Sequence, residues 1–219
     1  MIVLWWIISL LLAVCSAVAA TVFYRRYVDQ DKDSIATVCK KSQKLLILYA
    51  VFFIIYAILQ MLVMMRRNES FLLTLRNLIL INGFFLTATI DKKCLKIPNK
   101  LMLFLLIAGI LFIASEVAIL PKEWRRFVFT ALIGLFVGGF FILVCMLLSR
   151  GGVGAGDMKM FAVCGLYFGY QGVLETMMFT LLLASVVSIG LLIFRKAKLK
   201  SSIPMAPFLL VGAFVYSFL

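Results

Sequence analysis

A succession of long apolar runs, divided by short charged segments, restricts this chain more than any other feature. Runs at 2–23, 45–65, 71–90, 101–120, 127–148 and 173–194 each hold enough residues to cross a roughly 30 Å hydrocarbon core as a helix. Backbone polar groups have no water to bond in lipid, so segments of this length satisfy them internally as helices. Hydrophobic residues make up 65% of the 219 and charged residues 14%, with a mean hydropathy of +1.15. Soluble domains run to about 45–50% apolar and about 25% charged. The expectation is an all-α, polytopic membrane bundle with no sizeable soluble domain.

Two further segments bring the expected number of spans to eight. The sixth, at 158–170, has only 13 residues and contains Gly165 and Gly169. Either the bilayer thins there, or Gly172 bends the chain without ending the helix. The last, at 203–219, has Pro204 and Pro207 near its start. The first run lacks a basic leading region and reads as a spanning helix, although Ala17-Val18-Ala19 resembles a weak signal cleavage site. Gly134, Gly138 and Gly139 stand at small-xxx-small spacing, which fits close helix packing. Arg76, Asn77 and Asn82 interrupt the third run and are expected to face the bundle interior or to snorkel.

The net charge of +13 does not point to nucleic acid, because the charges fall in short clusters between apolar runs. That placement suits loops beside anionic lipid. If the loops at 24–44, 91–100, 149–159 and 195–202 share one side, they hold 16 of the 22 Lys and Arg residues, against five in the turns at 66–70 and 121–126. The 16-charge side is then cytoplasmic, with both termini on the other.

Histidine is absent, which removes Ser-His-Asp and Cys-His hydrolysis, His-ligated metals and His proton relays together. The five cysteines include no CxxC pair and are odd in number, so neither a zinc site nor a disulfide framework is expected. No metal and no cofactor is indicated. Hydrolytic chemistry would have to come from carboxylates. Of nine acids, Asp29, Asp31 and Asp33 lie in the first loop, and Glu69, Glu116, Glu123 and Glu175 lie at or near outer ends. Asp91 and Asp157 alone stand at cytoplasmic ends of spans. Asp157 follows four glycines in six residues, which removes side-chain bulk around its carboxylate. Ionisable groups at such positions are costly and point to function.

Two close carboxylates can hydrolyse a peptide bond. Like charges a few ångströms apart cannot both ionise, so the pair shares a proton. The ionised member draws a proton from water, and the protonated member polarises the carbonyl and assists the leaving amine.

The residues around both acids resemble a known family. Gly154-Ala155-Gly156-Asp157 matches the GxGD motif of membrane aspartyl proteases, and Met158-Lys159 completes the GxGDxK form of type IV prepilin peptidases. Asp91 followed by Ile97-Pro98-Asn99 is similar to that family's first-aspartate motif. The stretch Ile203-Pro204-Met205-Ala206-Pro207-Phe208-Leu209, with Gly212 after it, is similar to the family's last helix. Presenilin and signal-peptide-peptidase relatives share GxGD but set their first aspartate after tyrosine, where this chain has Ile90. The resemblance divides the chain into an N-terminal transmembrane pair, 1–70, and a catalytic membrane domain, 71–219. It implies an aspartic endopeptidase of the inner membrane, using Asp91 and Asp157. Its partner would be a prepilin or pseudopilin precursor of the type IV pilus or secretion kind, cut after a short basic leader at the cytoplasmic face. Larger members carry a loop with paired CxxC motifs and methylate the new N-terminus. Here the loop at 24–44 is short and holds only Cys39, so peptidase activity without methyltransferase activity is expected.

Blander roles compete for the supporting residues. Lys159 either serves the acid pair or substrate, or is a flanking cytoplasmic lysine. Pro98 marks the start of a helix and pushes Ile97 towards an extended conformation. Asn99 is placed to cap that helix, and Lys92, Lys93, Lys96 and Lys100 are expected to face lipid headgroups. The glycine loop, with Gly154 and Gly156, lacks the Gly-Lys-Ser/Thr ending of a phosphate loop. The alternative function is a small transporter or proton-coupled channel with the aspartates as ion ligands, although paired broken helices in related repeats are not evident. A non-catalytic export scaffold is a third class.

Overall fold

The computed structural model describes residues 2–29, 42–67, 70–148, 154–194 and 203–219. Every regular element among them is helical. The long helices are α1 (Ile2–Tyr24), α2 (Gln43–Arg67), α3 (Phe71–Cys94), α4 (Asn99–Ile119), α5 (Trp124–Leu148) and α6 (Ala155–Ile193), and a shorter α7 (Ala206–Tyr216) follows them. A π turn at Arg25–Asp29 continues α1, and a 3-10 turn at Pro121–Glu123 precedes α5. Among the described residues six helices are long and apolar enough to cross a membrane, and α7 is a shorter apolar helix. The chain is therefore a multi-pass membrane protein. Cys39, Gly151, Gly152 and the basic segment 195–200 lie outside the described residues.

Seven helices stand among the described residues where eight spans were expected, because the sixth and seventh runs form one element, α6. That element breaks at Gly169, with φ 72° and ψ −176°. Phe161 and Val173 are twelve residues apart, which a straight helix would separate by about 18 Å. Yet a Cβ placed on Gly138 would meet both the Phe161 carbonyl and Val173 Cγ2, the latter at 3.0 Å. The element consequently folds on itself as two arms, 155–168 and 170–193. The bend falls at Gly169 and not at Gly172, because this backbone geometry is essentially restricted to glycine. Gly172 instead makes room: a Cβ there would lie 2.6 Å from Phe168 Cβ and 2.6 Å from the Tyr216 hydroxyl.

Contacts divide the chain into two units, Met1–Asn82 and Gly83–Leu219, with the boundary inside α3. In the first unit, α1 buries small residues, Ala13, Ala17 and Ala20, at helical spacing. On α2 the buried stripe is larger: Tyr49, Phe53, Tyr56, Ala57, Gln60, Met61 and Met64. Trp5 and Phe71 stack with ring centroids 4.9 Å apart, and Asn82 Nδ2 donates to Ser16 Oγ at 3.3 Å. Asn77 is buried, as an interior polar residue of a membrane helix should be.

The second unit is built on close backbone approach. The buried face of α5 is Ala131, Gly134, Gly138 and Ile142, while Phe129, Leu132, Phe136 and Phe140 stay exposed. Lipid is as apolar as these large side chains, so packing surfaces favour small residues. Gly134 touches Gly165 of α6 backbone to backbone, as the glycine spacing predicts. Along α4, Leu101, Leu105 and Gly109 recur every four residues on the buried face. Tyr167 of α6 fills the space over Gly109 and donates its hydroxyl to the Leu105 carbonyl at 2.8 Å.

Candidate active site

Asp91 lies in the last turn of α3 and is 5% exposed. The helix stops four residues later at Leu95, whose φ of 51° is left-handed and whose N–H donates to the Asp91 carbonyl at 2.8 Å. This single 5→1 bond is the αL form of helix cap, here carried by leucine where glycine is usual. The chain then runs through Ile97 to Pro98, which is extended (φ −71°, ψ 115°) and starts α4. The Pro98 carbonyl accepts from Leu101 and Met102 at 3.1 and 3.2 Å. Asn99 does not cap α4, contrary to expectation. Pro98 holds the N-cap position, which frees the Asn99 amide, and its Oδ1 accepts from Lys159 Nζ at 2.8 Å.

Asp157 stands on the first turn of α6, after the N-cap Gly154. Its Oδ2 accepts from the Gly154 N–H at 3.3 Å, and its own N–H donates to the Gly154 carbonyl at 3.0 Å. That is the acidic half of a capping box, and a negative charge is favoured in a helix's first turn. Gly156 fits against Ile97, since a Cβ there would lie 2.9 Å from both Cβ and Cδ1 of that side chain. Asp157 is half-buried, and Lys159 is exposed.

A third element completes the arrangement. The N–H of Ala206, the first residue of α7, donates to Asp91 Oδ2 at 3.1 Å, and Met205 contributes a second backbone N–H. The Asp91 carboxylate is also close enough to Asp157 to interact with it electrostatically. The end of α3 and the starts of α4, α6 and α7 thus meet at one end of the second unit. Asp91, Pro98, Asn99, Gly154, Gly156, Asp157 and Lys159 all lie there. Ile97 and Ala206 were quoted only as parts of motifs. A side-chain inventory misses them because Ala206 acts through its backbone and Ile97 through its shape, although Pro207 just after Ala206 does mark a helix start.

Fold and geometry together describe a multi-pass helical membrane protein with two interacting carboxylates at one end of a helical unit. The type IV leader peptidase family model matches residues 78–193, more than half of the chain and a stretch that includes both aspartates. The chain belongs to that family. It is also similar to the prepilin leader peptidase/N-methyltransferase of Bacillus subtilis (strain 168), with 26% identity over 136 residues. That alignment covers 62% of this chain and 52% of the relative, so the match spans about half the relative's length. No solved structure matches the chain.

Proposed function

We propose that the protein is an aspartic endopeptidase that removes the leader of prepilin-like precursors with a water activated between Asp91 and Asp157. The observation that carries this reading is the placement of the two carboxylates at one end of the second unit, near enough to act on each other electrostatically, within a chain of the type IV leader peptidase family. The ionised aspartate takes a proton from water, which attacks the scissile carbonyl. The protonated one hydrogen-bonds that carbonyl's oxygen as the water adds and then gives its one proton to the leaving amine, while the other aspartate keeps the proton taken from water. The pair returns to one shared proton after each cycle. Residues 71–219 form the catalytic region in this reading. The Lys and Arg residues that flank both aspartates in the segments 91–100 and 149–159 support a cytoplasmic orientation in the inner membrane. The substrates are pilin or pseudopilin precursors of type IV pilus or secretion systems. The short 24–44 loop with its single Cys39 supports peptidase without methyltransferase activity.

The test uses purified protein in detergent with a prepilin-like precursor and an added sulfonium methyl donor, followed by mass spectrometry of the products. A single cut between a basic leader and the apolar helix, leaving an unmethylated new N-terminus, is the expected result. An uncut precursor would contradict the proposal, and methylated product would contradict its second half.

A further inference from the structure

Two contacts dock the segment after Asp91 onto the first turn of the Asp157 helix, and they lie on either side of that acid in sequence. On one side Ile97 closes over Gly156, where a Cβ would be only 2.9 Å away. On the other, Lys159 Nζ donates to Asn99 Oδ1 at 2.8 Å, sixty residues away in the chain. Lys159 stands on the second turn of α6, just beyond Asp157 on the first. Its long side chain loses rotamer freedom when held in one place. That cost would be avoided if the side chain were left free in solvent, so its direction towards Asn99 calls for a reason. The bond is exposed and competes with water, so it contributes little to folding. What it does fix is geometry, because the 97–99 segment is tied to Asp91 through one short turn and Lys159 is two residues from Asp157.

We propose that Asn99 and Lys159 form a positioning latch that, together with the Ile97–Gly156 contact, sets the separation of the two carboxylates. This rests on the reading of Asp91 and Asp157 as the catalytic pair. Neither latch residue touches the reacting atoms, so its loss acts on catalysis through the placement of the aspartates.

Lys159→Met keeps the stem and removes the donor, and Asn99→Leu keeps the shape and removes the acceptor. Each is expected to lower kcat about tenfold with KM within about twofold, inside the range of up to about 100-fold that a 1 Å misplacement costs. The double variant is expected to be no slower than the worse single one, and Lys159→Arg to recover most of the rate. Effects that multiply, or that appear in KM, would overturn the latch and make Lys159 a substrate contact. A second measurement combines Asn99→Cys with Lys159→Cys in a background without the native cysteines and joins the two thiols with a short bifunctional reagent. The bridge is expected to form and to raise the cleavage rate above that of the unbridged protein. Failure to bridge, or bridging without recovery, overturns the proposal. If wild type itself cleaves nothing while the bridge still forms, the peptidase reading has failed and the assigned role falls with it.

Discussion

The backbone N–H of Ala206 donates to Asp91 Oδ2 at 3.1 Å, joining residues 115 positions apart. The start of α7 accounts for this bond. Phe208 and Leu209 both donate to the Met205 carbonyl, and Pro207 has no N–H to place. Ala206 is fully buried, so its N–H has no water to turn to. One of the two proposed catalytic acids is therefore also the acceptor that completes α7.

This dual role predicts that the choice of substitution at Asp91 matters for folding. Asp91→Asn retains an acceptor oxygen, whereas Asp91→Ala strands a buried donor, at a cost of about 1–3 kcal/mol. Thermal unfolding in detergent should give the Ala variant a clearly lower Tm than the Asn variant, with both inactive. Equal midpoints would mean that the Ala206 bond contributes nothing.

The bend of α6 is expected to tolerate only glycine. Gly169→Ala forces a side chain into a backbone region that costs about 1–3 kcal/mol, and its Cβ would lie 2.5 Å from Thr130 Cγ2. Adding Thr130→Ser removes the clash and not the backbone cost, so the double variant should recover only part of the lost Tm. Full recovery would show that the backbone at 169 carries no strain.

At Leu95 the sign is reversed. A left-handed conformation costs a non-glycine residue about 1–2 kcal/mol, and glycine's greater unfolded-state freedom returns about 0.5–1 kcal/mol of that. The side chain is 53% exposed, so little packing is lost. Leu95→Gly should raise Tm slightly, and a fall would point to a contact made by the leucine.

Much of the site was legible because ionisable residues are rare in such a chain. Asp91 and Asp157 stood out as acids at the ends of apolar runs, and Pro98 marked the start of α4. What escaped was held by backbone and shape. Nothing in an alanine says that its N–H meets a carboxylate 115 residues away. Asn99 is a good capping residue type, yet Pro98 before it already provides the extended N-cap. Of the two readings of the short sixth run, a thinned bilayer or a bend at Gly172, neither named Gly169, where the bend falls, since two glycines three residues apart look alike until φ is known. The two runs at 158–170 and 173–194 correspond to the two arms of α6 on either side of that glycine.

The most direct test of the account compares wild type, Asp91→Asn and Asp157→Asn, each co-expressed with a prepilin-like precursor and scored by the precursor's gel shift. Both variants preserve side-chain shape and are expected to remain in the membrane. The account predicts processing by wild type and none by either single variant. Processing that persists in either variant, at a membrane level equal to wild type, would contradict the two-aspartate mechanism.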